Sequence, residues 1–155
     1  MFSAMPISVN RQLGESAYKP VRVLLLRLDS NKTLRIVQVY APTTASDDDE
    51  VEEFYAELES TLTIKSIYTR VMGDINAKLG QGGKAGEKHI GRFGIGKRTN
   101  RSERMVSMTE SDKLFVGSTW FRKKVGRRWT WITPNAVAKN EIDYNLVDRQ
   151  CILKP

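Results

Sequence analysis

The chain has 155 residues, 40% of them hydrophobic and 28% charged, which suits a globular domain able to bury a core and excludes a disordered chain. Its one cysteine, Cys151, excludes an intramolecular disulfide and a cysteine-based zinc site. The net charge of +7 hides a segregation: eight acids between Asp47 and Glu59 stand with no base among them, and the rest of the chain carries +15.

The N-terminus MFSAMPISVN lacks a charged stretch followed by an apolar one, and no run approaches the length of a membrane span. The expectation is an intracellular protein, nuclear or cytoplasmic and not secreted, with no membrane partner. No repeat, linker or low-complexity tract divides the chain, so residues 1–155 read as a single domain.

Val21 to Leu28 is short, apolar and bounded by Pro20 and the turn Asp29-Ser-Asn-Lys32, the pattern of a strand buried on both faces. Leu34 to Tyr40 returns antiparallel across that turn and stops at Ala41-Pro42. Ser46 before three aspartates is a helix start, with a capping oxygen first and carboxylates in the turn that the helix dipole favours. Val51, Phe54, Tyr55, Leu58 and Leu62 then recur at helical spacing, so the acidic cluster is a solvated outer face rather than a metal site.

Ser66 to Met72 reads as a third strand, which runs into Gly73-Asp-Ile-Asn76. Gly, Asp and Asn are ordinary turn residues, and Asp and Asn also suit a metal or a phosphate, so both readings stand at this point. Residues 79–100, rich in glycine and without apolar periodicity, form a long loop of the kind that is functional or mobile. A helix follows from about Arg101 to Ser111, then strands near Leu114 to Gly117, Arg128 to Ile132 and Glu141 to Val147. This alternation is that of an α/β sheet with helices packed on it.

Between Lys84 and Arg128 stand 13 lysines and arginines against Glu87, Glu103, Glu110 and Asp112, a local net of +9. Basic residues interleaved with Trp120, Phe121, Trp129 and Trp131 fit a nucleic-acid partner. Lys97, Arg98, Arg122, Lys123, Lys124, Arg127 and Arg128 are the candidate phosphate-binding residues. Tyr40, Asp74, Asn76 and Asp143 lie at or near strand ends, where sites on a sheet scaffold are built. The sole histidine, His89, reads as a solvated loop residue.

The order VYAP, acidic amphipathic helix, GDIN, GRFG, RRWTWITP and EIDYNLVD resembles the endonuclease/exonuclease/phosphatase superfamily. It is most similar to the apurinic-type endonuclease domain of RTE-like non-LTR retrotransposons, whose reverse transcriptase accompanies the nuclease. The likeness runs from about Pro20 to Asp148. It implies a four-layered α/β sandwich of two mixed sheets flanked by helices, here partial, and a phosphodiesterase or endonuclease that nicks DNA using magnesium or manganese, weakly held.

By the same resemblance, Asp74 matches the aspartate that positions or deprotonates the attacking water. Asn76 matches the asparagine that orients that water and holds the phosphate. Tyr40 matches a tyrosine bonded to the scissile phosphate, and Asp143 the aspartate that orients the catalytic histidine. Thr130 and Trp131 match a Thr-Trp pair expected to pack beneath the site. The family's glutamate metal ligand within Gln-Glu and its closing Ser-Asp-His have no counterpart in this sequence, so the resemblance implies an incomplete, catalytically impaired domain. A non-catalytic nucleic-acid-binding remnant and a phosphatase of the same superfamily remain the alternatives.

Overall fold

The structure, a computed structural model, describes residues 19–149; the N-terminal stretch and Cys151 lie outside the described residues. Strand β1 (Val21–Asp29) turns at Ser30 and pairs antiparallel with β2 (Lys32–Tyr40), Val21 opposite Val39 and Leu26 opposite Leu34. Helix α1 (Asp48–Leu62) crosses over, and β3 (Tyr68–Asp74) returns parallel to β2. Helix α2 (Asn100–Ser111) precedes the short β4 (Phe115–Val116). A two-stranded ribbon of β5 (Trp131–Ile132) and β6 (Lys139–Asn140) leads into β7 (Asp143–Val147). The result is an α/β fold whose five-stranded mixed sheet has the order β1-β2-β3-β7-β4.

Side chains alternate across a strand, so one face of the sheet takes Val37 and Val39 of β2, Val71 of β3 and Leu146 of β7, all buried. Val51, Phe54, Tyr55 and Leu58 of α1 and Met105 and Met108 of α2 complete this core. The helices are bolted side by side: Arg104 of α2 bonds Glu52 and Glu59 of α1, each at 3.0 Å, and lies over the Tyr55 ring. Part of the acidic face of α1 is therefore paired rather than solvated. The N-cap is Asp47, whose carboxylate accepts from the Glu50 amide at 2.8 Å, one residue beyond the expected Ser46.

The opposite face is more open and carries Leu24, Ile36, Gln38, Tyr40, Arg70, Met72, Asp74, Asp143 and Asn145 at matched register positions. The strand Val21–Asp29 is accordingly not buried on both faces. It is an edge strand among the described residues, and Leu25 and Leu28 stand exposed. The second sheet is the β5–β6 ribbon, and only Trp131 and Ile132 of the expected Arg128–Ile132 strand belong to it.

The glycine-rich stretch 79–99 is not a wandering loop. Backbone bonds from Gly80 to Ile95 and from Gly82 to Gly91, both 3.1 Å, fold it on itself, and Leu79 and Ile90 are buried. Arg98 pins it by bonding Glu87, the Leu79 carbonyl and the Gln81 carbonyl.

Candidate functional site

Strand β3 extends through Gly73 to Asp74, so Asp74 is the last residue of a strand rather than the start of a free turn. Gly73 makes that path feasible. Its φ is +140°, and a Cβ there would sit 1.9 Å from the Val39 carbonyl oxygen, a clash no side chain accommodates. The strand then ends in a turn of the aspartate's own making: Asp74 Oδ1 accepts from the Asn76 amide at 2.8 Å, and Asn76 takes a left-handed φ of 50°, which asparagine tolerates. The Asn76 side chain donates through Nδ2 to the Ala41 carbonyl at 2.8 Å, and the Ala41 amide donates to Asp74's carbonyl at 2.8 Å. These bonds tie the end of β2 to the end of β3. GDIN is thus the end of a strand closed by an Asx turn, which leaves the Asp74 side chain at the rim of the sheet.

Register then assembles the rest. Tyr40 is opposite Asp74, and Asp74 is opposite Asp143, so the three form a row across β2, β3 and β7 at one rim on the open face. Directly opposed residues on antiparallel strands, as Asp74 and Asp143 are, have Cβ atoms about 5 Å apart. Tyr40 is 49% exposed, while Asp74 is half-buried. Burial raises the Asp74 carboxyl above the usual aspartate range; the Asn76 amide bond opposes this, and the neighbouring Asp143 charge adds to it.

Asp143 is itself held from behind. Thr130 Oγ1 accepts from the amides of Ile142 at 3.0 Å and Asp143 at 3.2 Å, so Thr130 clamps the start of β7 by hydrogen bonds. Trp131 does not pack beneath the site: it is 41% exposed on the ribbon. Tyr144, next to Asp143 but on the packed face, donates its hydroxyl to the Glu141 carbonyl and accepts from the Leu79 amide, which ties the glycine-rich loop to the rim.

The basic residues divide. Arg128 is 4% exposed, bonds Glu141 at 2.7 Å and donates to the Phe93 carbonyl, so it does not face a phosphate backbone. Arg98 is likewise enclosed with Glu87, whose carboxyl it holds below the usual range. Lys97, Arg122, Lys123, Lys124 and Arg127 are exposed, as a phosphate-binding residue must be. Lys123 and Arg127 share with Asp143 and Asn145 the lining of a cleft of about 500 Å³.

His89, far from being a solvated loop residue, is half-buried with Nδ1 2.6 Å from Glu110 Oε2 and its ring against Phe115. Phe115 pairs with Val147, at the far end of β7 from Asp143, so His89 serves that edge of the sheet and not the rim. Nothing in the sequence signals this partnership, because the two residues stand 21 apart on different elements.

These side chains offer a divalent cation little. No group of three or more histidine, cysteine, aspartate or glutamate residues gathers among the described residues. Two opposed carboxylates, one with its pKa raised partly by the other, still fit a hard cation that keeps most of its waters and shares substrate phosphate oxygens.

With the motifs VYAP, GDIN, GRFG, TWITP and EIDY in order on one α/β scaffold, the chain resembles the endonuclease/exonuclease/phosphatase superfamily. Its curated relatives carry the name craniofacial development protein 2. The protein from Tragulus javanicus is 32% identical over 126 residues, 79% of this chain and 22% of that protein. That from Bos taurus is 34% identical over 113 residues, 72% of this chain and 19% of that protein. The chain thus spans about a fifth of the length of these relatives. Among solved structures, an endonuclease/exonuclease/phosphatase family protein from Leptotrichia buccalis C-1013-b gives a TM-score of 0.48 at 14% identity, covering 83% of this chain and 41% of that one. No family model matches.

Proposed function

We propose that the rim of Tyr40, Asp74, Asn76 and Asp143 hydrolyses a phosphodiester in nucleic acid, DNA above RNA, with slow turnover in this chain. The carrying observation is the register row that brings Tyr40, Asp74 and Asp143 together on the open face. Phosphodiester hydrolysis needs an aligned water, a group to take its proton, and donors for the non-bridging oxygens. Asp74, with its pKa raised by burial, is a stronger base when ionised than an exposed aspartate. Asn76 commits one amide hydrogen to Ala41 and keeps the other, with its carbonyl oxygen, for water and phosphate. Tyr40 offers a hydroxyl donor from the adjacent strand. Asp74 and Asp143 would hold a divalent cation, magnesium or manganese, which when bound neutralises phosphate charge. Turnover is slow because two carboxylates make a sparse cation site.

Supercoiled plasmid incubated with the chain and magnesium should show slow nicking. Asp74→Asn keeps the shape and the turn but removes the charge, so the rate should fall by roughly 10²-fold or more, the scale of general-base loss. Its folded pKa being raised, ionised Asp74 weakens the fold, and this penalty vanishes as pH falls and the group protonates. Asp74→Asn should therefore match or exceed the parent's melting temperature at neutral pH. Nicking at the parent's rate by the variant would remove Asp74 from the chemistry.

A second reading, nucleic-acid binding without turnover, is supported by the exposed bases at 122–127 beside the rim. Salt-sensitive binding with no nicking in either metal would select it.

A further inference from the structure

The cleft that begins at Asp143 has the makings of more than a charged surface. Its lining includes Ser118, Phe121, Lys123, Arg127, Asp143 and Asn145. Its floor is the enclosed Arg128–Glu141 pair, which is electrically balanced and fixed, so the charge available to a ligand comes from Lys123 and Arg127. Phe121 is half-buried and presents an aromatic surface where the cationic stretch begins. Asn145 is oriented by Arg70, whose Nε donates to its Oδ1 at 2.8 Å. The second observation is independent of charge: the Ser118 hydroxyl is buried at this cleft and has no hydrogen-bond partner in the protein. A buried hydroxyl left unmatched is costly, and a ligand group supplying its partner recovers that cost.

We infer that this cleft is a nucleotide subsite beside the reacting phosphate: one base of the strand stacks on Phe121, its flanking phosphates meet Lys123 and Arg127, and Ser118 hydrogen-bonds the nucleotide. The inference rests on the nucleic-acid reading above and makes it specific. A phosphate-only groove needs neither an aromatic platform nor an enclosed hydroxyl. Base stacking on aromatic side chains is tolerant of sequence because every base has a π face, so the subsite selects for the presence of a base and not for its identity. The strand it implies runs from the Tyr40–Asp74–Asp143 row across Asn145 towards residues 123–127, leaving the helices on the opposite face of the sheet untouched.

The test compares two fluorescein-labelled polymers of twelve units, a mixed-sequence deoxyoligonucleotide and a base-free phosphodiester chain of tetrahydrofuran sugars, bound to the full chain in chelator. Phe121→Ala should weaken binding of the oligonucleotide about tenfold and leave the base-free chain unchanged. Phe121→Leu, which keeps apolar volume without a π face, should do the same and covers the case in which the alanine variant folds poorly. Lys123→Ala with Arg127→Ala should weaken both polymers alike and lower the log-log salt slope by up to about two. Ser118→Ala should match or raise the melting temperature, since it removes a buried hydroxyl that bonds nothing within the protein, yet weaken the oligonucleotide severalfold. Equal effects of the Phe121 variants on both polymers, or no binding of either, would overturn the subsite. Chelator keeps the assay apart from hydrolysis: base-independent binding with Asp74-dependent nicking would sink the subsite alone, and base-dependent binding without nicking the hydrolysis alone.

Discussion

Arg98 and Arg127 belong to two basic stretches of the same chain, yet Arg98 has a side chain 8% exposed and bonded to Glu87, while Arg127 stands in solvent at the mouth of a cleft. The difference follows from where acids lie. Around Arg98 the sequence offers Glu87, Glu103 and Glu110, and each is taken by a basic partner in the folded chain. From Lys113 to Asn140 there is no acid at all, and Glu141 goes to Arg128. Among the described residues Arg122, Lys123, Lys124 and Arg127 form no ion pair, so their charge is directed outward. A positive stretch becomes a structural clasp when carboxylates and carbonyls converge on it and an outward-facing charged surface when they do not.

The largest effect is expected at the clasp. Arg98→Ala leaves Glu87 enclosed without its partner and strips bonds from the Leu79 and Gln81 carbonyls, so urea unfolding should show a loss of about 3–5 kcal/mol. A loss below about 1 kcal/mol would mean that the pair behaves as a surface pair. Changing Arg122, Lys123 and Lys124 together to alanine should do the reverse. Stability should stay within about 0.5 kcal/mol, while DNA affinity falls and the salt slope drops by close to 0.9 for each phosphate no longer neutralised. An unchanged slope would make that stretch a solvated face.

The smallest effect separates the two stretches through pH. Arg98 holds the Glu87 carboxyl below its ordinary value of 4.5, so its contribution is present above that value and lost as pH falls through the lower, folded-state one. Glu87→Gln should flatten the acid limb of the stability curve in that window. Substitutions at 122–124 should leave the limb unmoved.

The sequence made some of this plain and hid the rest for physical reasons. The stripe from Val51 to Leu62 announced α1, because 3.6-residue spacing has few other causes. The run Val21 to Leu28 misled, since continuous apolar residues describe a strand without saying how many faces are covered; that depends on what packs against it. Tyr40, Asp74 and Asp143 were visible as strand-end residues expected to converge on one rim, but their direct opposition was not, because register between β2, β3 and β7 is a long-range property. Arg98 and Arg128 looked like Lys123 and Arg127 because composition does not report partners 11 and 13 residues away. Thr130 and Trp131 looked like a pair; the fold uses one as an acceptor for two amides and turns the other outward.

Gly73 and Asp74 are neighbours with opposite ways of failing. Any side chain at 73 meets the Val39 carbonyl, so every replacement should be lost from the soluble, folded pool before its chemistry is ever sampled. At 74 the reverse holds, since asparagine keeps the Asx turn and relieves a buried charge. In a library read by both protein abundance and catalytic turnover, the two positions should occupy opposite corners. A gene copy drifting without selection on its reaction, but still screened for folding, would keep glycine at 73 and scatter at 74. On the hydrolytic reading proposed above, the dipeptide would serve as a molecular record of whether selection acts on chemistry at the rim or on folding alone.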